Sequence, residues 1–211
     1  MIKLVIADKN YSSWSLRSWL AAKQAGIPFV EVLIRLNTPK TRKEIFRHSP
    51  SGKLPCLIDG KTIVWDSLAI CEYLAEKEHS LWPKDGSLRA EARAICAEMH
   101  SGFLPMRYDM PMDISACKSY GTRSVEVESD IRRIISIWEN CRGRHADNGP
   151  FLFGRFTVAD AMFAPVLWQF VTYDVELPQN STAWLETMMS LPAMQEWKLG
   201  ALAEIEGKSA D

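Results

Sequence analysis

SPSGKLPCLIDGKTIVWD, residues 49–66, is the stretch whose reading decides the fold. Two short runs, CLI and KTIVW, flank Asp59-Gly60, a two-residue turn signal, so the segment reads as an antiparallel hairpin. Proline has no N–H to give a sheet ladder, so Pro55 belongs at a strand start, an edge or a cis turn. From the residues alone a trans Leu54-Pro55 bond is expected, because most X-Pro bonds are trans. Directly after the hairpin, Asp66 and Ser67 precede an apolar helical run, Leu68, Ile70, Cys71, Tyr73 and Leu74. One of the pair therefore caps a helix, and the free N–H groups of its first turn face either water or an anion.

Towards the N-terminus, Ile2 to Ala7 (IKLVIA) is a near-continuous apolar run, the pattern of a strand buried on both faces of a helix-covered sheet. Asn10 to Ser15 then supplies side-chain oxygens that favour caps and turns, and Leu16, Trp19, Leu20 and Lys23 follow at helical spacing until Gly26. Pro28, Phe29, Val30, Val32 and Ile34 form a second strand, completing a β-α-β unit with a right-handed crossover. Thr38 to His48 is a charged connector, helical or irregular.

Towards the C-terminus, SLWPKDGS at 80–87 is rich in turn residues and reads as a linker, with the boundary near residue 83. Beyond it strand alternation stops. Arg89 to Phe103, Val125 to Arg142, Val158 to Tyr173 and Thr182 to Gly200 carry helical periodicity. Thr157 and Asp160 form a variant capping box before AMFAPVLW, in which Pro165 predicts a kink unless neighbours satisfy the freed carbonyl. GFLPMRYDMP, residues 102–111, gathers methionine, aromatic and arginine side chains beside two prolines that interrupt a helix; it reads either as core packing or as the wall of an adaptable apolar pocket.

The chain of 211 residues, 47% hydrophobic and 24% charged, is long enough to bury a substantial core in one large or two small domains. A net charge of −1 offers no field to recruit nucleic acid or an anionic membrane. No run approaches the roughly 18 apolar residues of a membrane span, and the N-terminal run is too short for a secretory leader. Cys56, Cys71, Cys96, Cys117 and Cys141 are odd in number and never form a CxxC pair, so a reducing, cytoplasmic setting is expected and neither disulfides nor a zinc site is signalled. His48, His79, His100 and His145 show no ligand spacing either, so no metal is expected.

The succession β-α-β, Leu-Pro ahead of an Asp-Gly hairpin, then Asp-Ser at a helix start resembles the thioredoxin-like domain of the glutathione transferase family. SSWSLR, residues 12–17, is similar to the serine-rich active-site stretch of the zeta class, where two adjacent serines open the first helix and an arginine lies five residues after the first. Ser12, Ser13 and Arg17 match that spacing; Trp14 departs from it, standing where the zeta pattern has cysteine. The Thr157–Asp160 capping motif and LPAMQEW at 191–197 resemble elements of the family's helical domain, so the likeness covers nearly the whole chain. It implies an α/β thioredoxin-like domain over 1–82 that binds glutathione, and an all-α domain over 88–211 that contributes a second-substrate pocket.

The resemblance also implies chemistry. A thiol is mostly protonated at neutral pH and its thiolate is the nucleophile, so a catalyst must favour the anion by hydrogen bonding or positive potential. Ser12 is the first choice of donor by the zeta spacing, Ser13 the near alternative and Tyr11 a weaker one; Arg17 either sustains positive potential or braces the fold. Glutathione would be held by Lys53 at its glycyl carboxylate, by the Leu54 backbone beside a family cis-proline at Pro55, and by Asp66 and Ser67 at its γ-glutamyl end. Trp14, Phe103, Met106 and Arg107 are the candidates for contact with a small hydrophobic electrophile. Three readings follow: a serine-type transferase, a zeta-like cis-trans isomerase of the maleylacetoacetate type, or a non-catalytic binding protein of this fold. A homodimer is the implied assembly.

Overall fold

The computed structural model describes residues 1–119 and 121–208; the last residues of the expected second domain, 209–211, lie outside them. The first half builds β1 (Ile2–Ala7), α1 (Ser13–Gln24), β2 (Phe29–Ile34), a short α2 (Thr41–Phe46), β3 (Cys56–Asp59), β4 (Thr62–Trp65) and α3 (Ser67–Lys77). The second half is helical: α4 (Gly86–Ser101), α5 (Leu104–Asp109), α6 (Val125–His145), α7 (Val158–Thr172), α8 (Gln179–Ser190) and α9 (Pro192–Lys208). This is the expected thioredoxin-like unit followed by an all-helical one.

The sheet order is β2-β1-β3-β4. β1 runs parallel to β2, with Ile2 opposite Phe29 and Ala7 opposite Ile34, and antiparallel to β3, with Leu4 opposite Leu57. Being central, β1 is covered on both faces, which is why its sequence reads as a continuous apolar run. Ile2, Leu4 and Ile6 face the main core while Val5 joins Ile34, Ile45 and Cys56 in a smaller cluster on the other side, under α2. Helix α1 is buried from Ser15 to Ala22 because it is enclosed between the sheet and the helical half, packing on α3, α7 and α9. The loop ahead of it is held from the second half: Trp197 Nε1 donates to the Lys9 carbonyl at 3.0 Å, and Asn10 bridges Asp113 and the Ser115 amide, each at 2.9 Å. No described helix is long and apolar enough to cross a membrane.

Four details differ from the sequence reading. The Leu54-Pro55 bond is cis, not trans; the trans preference of an X-Pro bond is only about 0.5–1 kcal/mol, so surroundings decide it. The hairpin loop is Gly60-Lys61, because Asp59 still pairs with Thr62 as the last strand residue and Gly60, at φ +60°, takes the first turn position. Thr182 to Gly200 is two helices: α8 ends at Ser190 and Pro192 begins α9, since the residue before a proline is disfavoured in the helical region. Pro105 does not prevent α5; it sits in the first turn, where its missing N–H costs nothing. The Thr157–Asp160 box forms as read, with each side chain bonding the other's backbone, and α7 continues through Pro165.

Candidate active site

Three elements of the thioredoxin-like unit converge on one cleft of about 930 Å³, and α4 closes its fourth side. The N-terminus of α1 contributes Tyr11, Ser12 and Trp14, the turn before β3 contributes Ser51, Lys53, Leu54 and Pro55, and the start of α3 contributes Trp65, Asp66 and Ser67. His100 reaches in from α4. The sheet order explains the convergence: the loops after β1, before β3 and after β4 emerge at the same edge of the sheet.

Ser12 is the N-cap of α1, only 9% exposed, and borders the cleft. Its hydroxyl donates to Ser15 Oγ at 2.8 Å and accepts from the Ser15 amide at 3.4 Å. Ser15 in turn accepts from the Ala7 amide at 3.1 Å, tying the cap to the end of β1. Ser13, the first residue of the helix proper, is not among the residues bordering the cleft.

Trp14 borders the cleft, and two guanidiniums lie over its ring, Arg17 at 4.5 Å and Arg107 at 4.8 Å. Arg17 is buried, and its Nε and Nη1 have no hydrogen-bond partner among the described residues. Burial above all, with repulsion from Arg107, brings its pKa down to about 9, so at neutral pH it remains a buried cation behind the cleft wall. Arg107 is fixed by donating to the carbonyls of Met99 and His100.

At the start of α3, Asp66 takes φ +77°, a conformation costing a non-glycine residue about 1–3 kcal/mol. Its Oδ1 caps the helix by accepting from Leu68 and Ala69 amides at 2.9 and 3.2 Å, while Oδ2 pairs with His100 Nε2 at 3.1 Å. Ser67 beside it is buried, and its hydroxyl has no hydrogen-bond partner among the described residues. A helix N-terminus, an orphan hydroxyl and a carboxylate together suit a zwitterion, the carboxylate on the Ser67 hydroxyl at the positive end of α3 and the ammonium on Asp66.

Ser12, Trp14, Lys53, Leu54, Pro55, Asp66 and Ser67 are thus brought together, whereas Phe103 and Met106 are not. Both lie in the core, Met106 with no exposed surface, and neither borders the cleft; Arg107 reaches it only through Trp14. Phe103, Met106 and Met110 are buried where α5 packs on α6, whereas Leu104 and Tyr108 of the same stretch are exposed. The sequence reading missed His100 and Trp65. Ala92, Cys96 and Met99 mark the buried stripe of α4, and His100 falls one turn after Cys96; a polar residue at the margin of such a stripe was the available signal.

Residues 11–77 match the family described as glutathione S-transferase, N-terminal domain, and residues 112–197 match glutathione S-transferase, C-terminal domain. A probable maleylacetoacetate isomerase from Caenorhabditis elegans is 27% identical over 191 residues, covering 88% of this chain and 87% of that protein. A zeta class glutathione S-transferase from Euphorbia esula is 35% identical over 86 residues, 39% of this chain and 38% of the relative. Among solved structures, a glutathione transferase homologue from Burkholderia with bound glutathione superposes with a TM-score of 0.74 at 21% identity, over 96% of this chain and 98% of that one.

Proposed function

This chain belongs to the glutathione S-transferase family, and from that premise we propose that it binds glutathione in the cleft beside Ser12 and presents the thiolate to a small electrophile. The observation that carries this reading is the position of Ser12, which caps α1 and lines the same cleft as the Pro55 turn, Asp66 and Ser67.

The chain's own groups account for each requirement. A free thiol titrates near 8.5, so a cationic environment and a hydrogen-bond donor shift it towards the anion at neutral pH. Ser12 would turn its hydroxyl from Ser15 to the sulfur, and the positive end of α1 lies at the same point. Arg17 adds a cation behind Trp14. The γ-glutamyl ammonium would meet Asp66 and its carboxylate the Ser67 hydroxyl at the positive end of α3, the Leu54 backbone would pair with the cysteinyl residue, and Lys53 would face the glycyl carboxylate. Of the second-substrate candidates, Trp14 lines the cleft, while Phe103 and Met106 would act only from within the core.

A second reading, glutathione-dependent cis-trans isomerisation of a dienoic diacid, is favoured by the isomerase relative that matches over most of the chain and by the two guanidiniums over Trp14. Both chemistries begin with the same thiolate. We place the protein in the cytoplasm, in keeping with its five free cysteines, and as a homodimer, a state that light scattering would test.

Calorimetric titration with glutathione, thiolate absorbance against pH, and turnover on a panel of electrophiles test the reading in the native chain, Ser12→Ala, Ser13→Ala and Ser67→Ala. Absence of glutathione binding in the native chain would sink it. Unchanged thiolate formation and turnover in Ser12→Ala would remove Ser12 from the mechanism, and isomerisation of a cis-dienoic diacid would promote the second reading.

A further inference from the structure

His100 has no part in the scheme above, yet it reaches the cleft from α4 and holds the carboxylate on which the γ-glutamyl ammonium would rest. We propose that His100 is a positioning residue for glutathione: its neutral imidazole donates from Nε2 to Asp66 Oδ2 and aims that carboxylate into the cleft, and when protonated it competes with the ligand's ammonium for the same carboxylate.

The geometry supports each part. Oδ1 of Asp66 is committed to the amides of Leu68 and Ala69, so Oδ2 is the oxygen left for a ligand. An ionised carboxylate oxygen accepts more than one hydrogen bond; the imidazole takes one direction at 3.1 Å and leaves another for an ammonium. Because Nε2 donates to a carboxylate, the neutral tautomer carries its proton there. Nδ1, buried and without a partner among the described residues, then needs no acceptor. The ring is further fixed by an edge contact with Trp14, centroids 5.2 Å apart at 78°. Since α4 belongs to the helical half and Asp66 to the thioredoxin-like half, the pair also joins the two halves at the binding cleft.

The charged groups facing His100 are Asp66 from the start of α3, Arg17 from α1 and Arg107 from α5. Burial first, and then the two arginines, hold its pKa below the ordinary histidine value against the pull of Asp66. At pH 7 the imidazole is therefore neutral. Acidification adds a third cation beside Arg17 and Arg107 and sets it against the ligand's ammonium for the same carboxylate. The thiol of glutathione ionises on binding in the scheme above, so S-methylglutathione is the probe: it has no thiol to titrate, its ammonium and carboxylates stay largely in one charge state between pH 5 and 7, and a change of its affinity in that window reports the protein.

This inference rests on the reading of Asp66 as the ammonium site, and calorimetric titration of the full chain with S-methylglutathione from pH 5 to 7 tests the two separately. In the native chain, affinity should fall on acidification. His100→Ala should lose about tenfold at pH 7, the weight of a hydrogen bond to a charged group. His100→Gln, whose amide can take the place of Nε2 but does not titrate, should recover most of that loss and stay flat to pH 5. Should His100→Ala bind within twofold of native, or His100→Gln keep the acid limb, the proposal is overturned; a His100→Ala chain that fails to fold leaves the His100→Gln profile to decide. If Asp66→Asn binds as tightly as native, the ammonium assignment itself falls. Loss in Asp66→Asn with no effect in either His100 variant overturns the role of His100 alone.

Discussion

Ser12 and Ser13 are neighbours in the chain, yet one borders the cleft and the other does not. Successive residues of a helix point about 100° apart, so the residue at which α1 begins selects the hydroxyl that faces the ligand. Ser12→Ala should therefore lower turnover about 10²-fold, the usual cost of removing one preorganised donor, while Ser13→Ala stays within a few fold in the same steady-state assay. Arg17 calls for a different test. Exchanging a buried ion for an apolar side chain of similar volume often stabilises a protein, by about 1–4 kcal/mol. Arg17→Met should thus raise the urea midpoint while raising the thiol pKa of bound glutathione, read by thiolate absorbance. A brace without electrostatic function would lower the midpoint and leave the thiol unmoved.

At the scale of elements, α7 shows how far local signals carry. Thr157 and Asp160 stand three residues apart before an apolar run, and the capping box forms as that spacing requires. The tertiary structure adds what spacing does not contain: Asp160 is fully buried and also accepts from the Leu152 amide at 3.0 Å and from Trp184 Nε1 at 2.9 Å. Burial raises its pKa to about 6, yet every neighbour it bonds is a donor. Asp160→Asn would turn an N–H₂ towards one of those donors, and a denaturation curve should show a loss of about 2–4 kcal/mol, since a broken buried network leaves groups unsatisfied. The same distinction applies at the hairpin. Asp59-Gly60 announced a two-residue turn, while the pairing of Asp59 with Thr62 moved the loop one residue on to Gly60-Lys61. Register is a property of both strands, and a dipeptide reports only one end of it.

Across the whole molecule, one continuous core runs from β1 and α1 through α4, α6 and α7 to Trp197 on α9. With α1 packed on α7 and the Lys9-Asn10 loop tied to Trp197 and Asp113, the two halves should unfold together. Far-ultraviolet circular dichroism and tryptophan fluorescence should give superimposable urea transitions; two separated transitions would contradict that coupling. The sequence by itself determined the architecture, because a doubly buried strand, an Asp-Gly hairpin and 3.6-residue periodicities are written in neighbouring residues. It also determined most of the cleft, since Ser12, the Pro55 turn and the Asp66-Ser67 cap lie at the ends of those elements. Only the tertiary structure decided that the Pro55 bond is cis, that Phe103 and Met106 are core, that two arginines share the Trp14 ring, and that His100 holds Asp66. Each of these joins residues far apart in the chain, and the packing that brings them together carries no local mark.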